Sequence, residues 1–194
     1  MRKLPLILII LFFQVNAFGA ITEGTNAGFV TTAPTGDPAG TGLRIDARAI
    51  ATKHTSPVGA TNVTEMGWWC DTTSEESNYE IGIYDHDATN NKPGNLLAGA
   101  DTSNAKGTTS GWKTATGLNI SISPNTVYWL AVQLDDTVTL TNTDSNTDAS
   151  YLRDIKETET ALTDPWGTSD AQATRITAFY AVYTTTQVIV IQEQ

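Results

Sequence analysis

Cysteine is almost missing from this chain: Cys70 is the only one in 194 residues. A lone cysteine excludes an internal disulfide, and nothing nearby in sequence would activate it as a nucleophile. It reads as a small buried hydrophobe, with an intermolecular disulfide as the alternative. Basic residues are also scarce, eleven Lys and Arg against 21 Asp and Glu. That balance lacks the positive footprint that nucleic acid or an anionic membrane requires. Zinc-ligand spacings, a nucleophile elbow and a phosphate-binding glycine loop are absent too. The two histidines, His54 and His86, lie in polar surroundings with no evident partner base. A polysaccharide-acting lyase or hydrolase needs an acid and a base set across a groove. Only Glu65 and Glu80 stand out as strand-borne carboxylates, and Glu80, alternating with Tyr79 and Ile81, is expected to face solvent. The residues therefore point away from an enzyme.

Long apolar runs are confined to the N-terminus. Arg2 and Lys3, the apolar stretch 4–13 and the small-residue pattern Val15-Asn16-Ala17 read as a secretory signal cleaved after Ala17. Ten apolar residues are too few to span a bilayer, which takes roughly 20. The expectation is an extracellular or secreted protein with no integral membrane segment once residues 1–17 are removed. Arg2 and Lys3 leave with the signal, so nine basic residues face 21 acidic ones and the net charge is near −12.

What is present is alternation. Aromatics are only 8% of the chain while threonine is its most frequent residue, a composition suited to strands with a hydroxylated surface. Residues 18–42, rich in Gly, Thr, Ala and Pro, read as an extended or loosely ordered N-terminal arm. Residues 43–194 read as one domain. Period-2 patterns predict strands at 43–51, 61–70, 79–85, 95–102, 112–122, 126–134, 137–142, 175–183 and 187–191, with a turn at 88–94. In the second, Met66, Trp68 and Cys70 share one face while Gly67 and Trp69 share the other. Residues 142–148 read as a polar loop and 151–162 as the one candidate helix, though the spacing of Leu152, Ile155 and Leu162 supports it weakly. Short strands punctuated by turn residues imply an all-β, antiparallel jelly-roll-like β-sandwich.

Three phrases occur together: IGIYDHDATNNKPGNLLA at 81–98, GW at 111–112 with VYWLAVQ at 127–133, and DPWG at 164–167 before FYAVY at 179–183. Their order resembles a β-sandwich domain of extracellular and phage-type proteins with recurrent YxDxxGxPGxLL, Trp-led, YWLA and DPFG phrases. The resemblance covers about residues 43–183 and implies a jelly-roll-like fold and an accessory or surface role. It brings no catalytic residues, and Trp166 stands where the pattern has Phe.

The candidate sites are of two kinds. Asp85, Asp87, Asn90 and Asn91 in the turn, and Asp135 and Asp136 with Asp144, Asn146 and Asp148, offer hard oxygens of the sort Ca²⁺ binds, so a structural Ca²⁺ is the one cofactor to consider. Asp and Asn are also what a hairpin turn prefers. Trp68 or Trp69, with Trp112 and Trp166, could present ring faces to a sugar. The leading expectation is a non-catalytic module that binds carbohydrate or another surface protein. The alternative is a structural subunit of an extracellular fibre or virion appendage, self-assembling through the arm 18–42 or the apolar tail Val188-Ile189-Val190-Ile191.

Overall fold

The structure, a computed structural model, describes residues 20–71, 75–97 and 103–185. Residues 1–17, expected from sequence to be a signal, and the tail 188–191 lie outside the described residues. The fold is all-β, with no helix among the described residues, and its sheets form a β-sandwich. One layer runs β1 (Gly28–Val30), β14 (Phe179–Thr185), β4 (Ala60–Cys70), β8 (Gly111–Ser121). The facing layer runs β12 (Ala171–Ala173), β11 (Arg153–Glu157), β3 (Arg48–Thr55), β9 (Val127–Leu134), β5 (Asn78–Asp87), β6 (Lys92–Leu96), with β7 (Ser103–Ala105) beside β5. A small third sheet, β13 (Arg175–Thr177), β10 (Asn142–Thr147), β2 (Thr41–Arg44), closes one end. Every pairing is antiparallel except β1 with β14.

Cross-strand pairing explains the register. Ile155, Ile50, Val132 and Ile81 lie opposite one another across four strands and all face the main core. A one-residue slip in any strand would turn such a row outward, so burial pins the register. Met66, Trp68 and Cys70 of β4 meet this row from the other layer, while Trp69 joins a separate cluster on the far side. The two tryptophans therefore face opposite ways, as period 2 dictates. On the outer face of the large layer, Ala51, Ala131 and Gly82 lie opposite one another. Their small size leaves room for a covering loop, and Leu162 and Trp166 fill it against Tyr84 and Trp129.

Four local expectations are corrected. Residues 153–157 are strand β11, with Ile155 in the core opposite Ile50, so tertiary pairing overrides the weak helical spacing. Residues 142–147 are strand β10, whose Thr143, Asp144 and Ser145 are buried between β13 and β2 rather than solvated in a loop. Within the arm, Gly28–Val30 pairs with β14, and Phe29 packs edge-on to Tyr128 in the main core. Residues 136–141 form no strand; β10 begins at Asn142.

Candidate functional site

The hairpin β5–β6 and the loop at 164–167 enclose a cleft of about 390 Å³, lined chiefly by Asp85, His86, Asp87, Lys92, Asn95 and Pro165. Local sequence explains the hairpin wall. Asp87 accepts hydrogen bonds from the backbone N–H groups of Thr89 (3.0 Å) and Asn90 (3.2 Å) and from the Asn90 side chain (2.7 Å), which closes the turn. Asn91 takes the left-handed conformation, φ 51°, that Asn tolerates better than most side chains. A bulge between Tyr84 and His86 interrupts the β5–β6 ladder, and there Asp85 and His86 both reach the cleft.

The second wall comes from about seventy residues later in the chain. The Asp164 carboxylate accepts from Leu96 N–H (3.0 Å), Trp166 N–H donates to the Gly94 carbonyl (2.8 Å), and Lys92 Nζ donates to the Gly167 carbonyl. Trp166 anchors the loop. Its ring is fully buried and edge-on to Tyr84 at 5.1 Å, and its indole N–H donates to Asp154 Oδ1 at 2.9 Å. Ser169 and Gln172 donate to the other Asp154 oxygen. The Asp164–Pro165 peptide bond is cis.

Two features set the chemistry of the cleft. The Trp129 indole N–H can only donate, and it meets His86 Nδ1 at 3.1 Å, so in the neutral ring the proton sits on Nε2. Asp85 accepts from Asn95 N–H (2.6 Å) and from its side-chain amide (3.2 Å). Asp87 is held below the usual carboxylate range, first by the Asn90 side-chain amide and then by the Asn90 backbone N–H. Each carboxylate can accept about four hydrogen bonds, so both keep acceptor capacity toward a ligand.

The residues proposed from sequence are distributed differently. Asp85 and Asp87 line the cleft, but Asn90 spends its amide on Asp87. Asp135 accepts from Gln133, Asp136 is exposed, and Asp144 is buried, accepting from Gly40 N–H at 2.7 Å. Burial raises the Asp144 pKa, with a further push from Asp71 and Asp37. Among the described residues, no three His, Cys, Asp or Glu side chains are grouped so as to hold a metal ion. The sequence clusters are thus taken up by turns and buried bonds.

The aromatic platform is corrected as well. Trp68 and Trp166 are fully buried, and Trp69 is nearly so, edge-on to Trp112 at 5.5 Å. Trp112 is half-buried, packed edge-on to Tyr180 at 5.2 Å, and bonded through its N–H to the Gly36 carbonyl. Burial withdraws the rings of Trp68, Trp69 and Trp166 from any sugar, which leaves only the half-buried Trp112 and no platform of several rings. His86, Lys92, Asn95 and Pro165 carry no site signal in the sequence beyond lying in the phrases IGIYDHDATNNKPGNLLA and DPWG. Glu80, expected to face solvent, is half-buried and accepts from Leu162 N–H at 2.7 Å. Compared with protein-family models, curated proteins and solved structures, the chain matches none, so the functional argument rests on the cleft.

Proposed function

We propose that this protein is a secreted, non-catalytic module that binds a neutral carbohydrate in the cleft between the β5–β6 hairpin and the Pro165 loop. The observation that carries the reading is a small open cleft whose acceptors (Asp85, Asp87) and ring donor (His86 Nε2–H) are fixed by intramolecular hydrogen bonds. Sugar hydroxyls both donate and accept, and the rings of Pro93 and Pro165 add apolar wall beside the polar groups. Holding these groups in place before the ligand arrives lowers the entropic cost of binding. Two carboxylates against one ammonium disfavour an anionic ligand. A binding role suits the protonation chemistry better than catalysis, because a general acid needs a raised pKa and Asp87 has a lowered one.

The test is a screen of neutral oligosaccharides followed by calorimetry on Gly94→Ala and Asp87→Asn. A Cβ at Gly94 would lie 2.1 Å from Asp85 Oδ1, so the substitution displaces that carboxylate. Loss of affinity by tenfold or more, about 1.4 kcal/mol, is the expected result in both variants. An array with no retained glycan, or hits that both variants bind like wild type, would overturn the reading.

A second reading, as an assembling subunit, is favoured by one observation. Among the described residues β8 is an eleven-residue edge strand, and Val138 and Leu140 are exposed at 98% and 57%. Such edges recruit strands from neighbours. Light scattering that finds defined oligomers would favour this reading over the monomeric module.

A further inference from the structure

The interior between the small sheet and the large layer contains cations with no anion beside them. Arg153 lies opposite Thr52, and both share the inward face of their strands with the core residues Ile155 and Ile50. Thr52 Oγ1 donates to Thr177 Oγ1 at 2.8 Å, which ties the large layer to β13. Arg175 sits two residues from Thr177 on the same face of β13, and its Nη1 donates to Ser145 Oγ at 3.2 Å. These contacts bring two guanidinium groups to one gap.

That gap is short of acceptors. Arg153 is 7% exposed, and its buried Nε and Nη1 have no hydrogen-bond partner. Thr143, fully buried on the face of β10 that carries Ser145, has an Oγ1 likewise without a partner. Among the described residues no carboxylate forms an ion pair with Arg153 or Arg175; the nearby Arg48 is paired with Glu157. Burial, then the charges of Arg175 and Arg48, lowers the Arg153 pKa to about 10, which still leaves it charged at neutral pH. A buried guanidinium with open donors costs several kcal/mol unless something accepts from it. The chain is strongly acidic overall, yet Arg153 and Arg175, two of its described arginines, come together here without a carboxylate between them.

We propose that Arg153 and Arg175, with the hydroxyls of Thr143 and Ser145, bind a small oxyanion (phosphate, sulfate or a carboxylate group) between the sheets. Guanidinium donors are planar and diffusely charged, which suits oxyanions over chloride. Arg175, partly exposed, is the more accessible of the two guanidinium groups.

The experiment is thermal unfolding of the full chain in increasing sodium phosphate against sodium chloride at matched ionic strength. Binding to the folded state alone raises Tm with the logarithm of phosphate once it exceeds Kd, by about 5 °C or more at a hundredfold excess over Kd. Arg153→Met should abolish the rise, and Arg175→Gln should move its onset to higher phosphate by tenfold or more. If Arg153→Met fails to fold, phosphorus NMR line broadening with wild type and Arg175→Gln gives the same comparison. Sulfate acting like phosphate identifies a tetrahedral oxyanion, while a response to acetate alone identifies a carboxylate ligand; either supports the site. A rise that is linear in salt and equal in Arg153→Met would be general exclusion of salt from the surface, and would overturn the proposal. So would the absence of any rise beyond chloride.

Discussion

Replacing Trp166 by Phe removes one N–H and half of a bicyclic ring from a site that is fully buried. The N–H donates to Asp154, itself fully buried, at 2.9 Å. A hydrogen bond to a charged group contributes about 1.5–3 kcal/mol, and the space left by the indole adds roughly another 1 kcal/mol. Trp166→Phe should therefore destabilise the fold by about 2–4 kcal/mol, seen in urea unfolding and as a fall in Tm of at least about 5 °C for a chain of this length. Packing and hydrogen bonding separate in a double-mutant cycle with Asp154→Ala. That second change strips the acceptor from Trp166, Ser169 and Gln172 together. A coupling energy of about 1.5–3 kcal/mol between positions 166 and 154 is expected. Additivity within about 0.5 kcal/mol would refute the reasoning, because the loop would then be held by ring packing alone.

Three further outcomes follow from the same structure. Cys70 is fully buried, and burial pushes its thiol up to about 11, so at pH 8 only about one molecule in a thousand carries the thiolate. A thiol reagent should label it only after denaturation; rapid stoichiometric labelling of the native protein would contradict its placement. A Cβ at Gly67 would lie 2.4 Å from the Tyr180 ring, whose hydroxyl is fixed on Glu65 at 2.5 Å. Gly67→Ala should cost about 1–3 kcal/mol by overpacking, and a neutral effect in chemical denaturation would show that the β4–β14 contact is looser than described. Asp144 binds its proton more tightly when folded, because burial raises its pKa. Its contribution is present below the unfolded value near 3.9 and is lost as pH rises through the higher folded value. Relative to Asp144→Asn, wild type should lose stability as pH rises upward from the unfolded value, and a difference independent of pH would count against this account.

Composition and alternation were enough to read an all-β sandwich, because a strand with one buried face writes its period into the sequence. The apolar positions Ile50, Ile81, Leu130 and Val132 carry that period, and so does the opposite facing of Trp68 and Trp69. Where burial depends on hydrogen bonds instead of apolar surface, the signal fades. Strand β10 looked like a loop because Thr143, Asp144 and Ser145 are polar, yet two neighbouring strands and the Gly40 N–H take up that polarity. Strand β11 was misread for a related reason, since charged residues flank the single apolar Ile155. The aromatic platform failed because residue type does not reveal what covers a ring. Trp166 is buried by Tyr84 and by the small residues Ala49, Ala51 and Ala131 of strands distant in sequence. The carboxylates of the hairpin were legible, but the cleft was not: its second wall comes from residues 164–167, and the approach of β11 to β13 that sets the Arg153 and Arg175 charges near each other is equally nonlocal. Local pattern determined the apolar core strands, and only the meeting of distant strands decided the polar strands β10 and β11 and which side chains face the cleft, the core or one another.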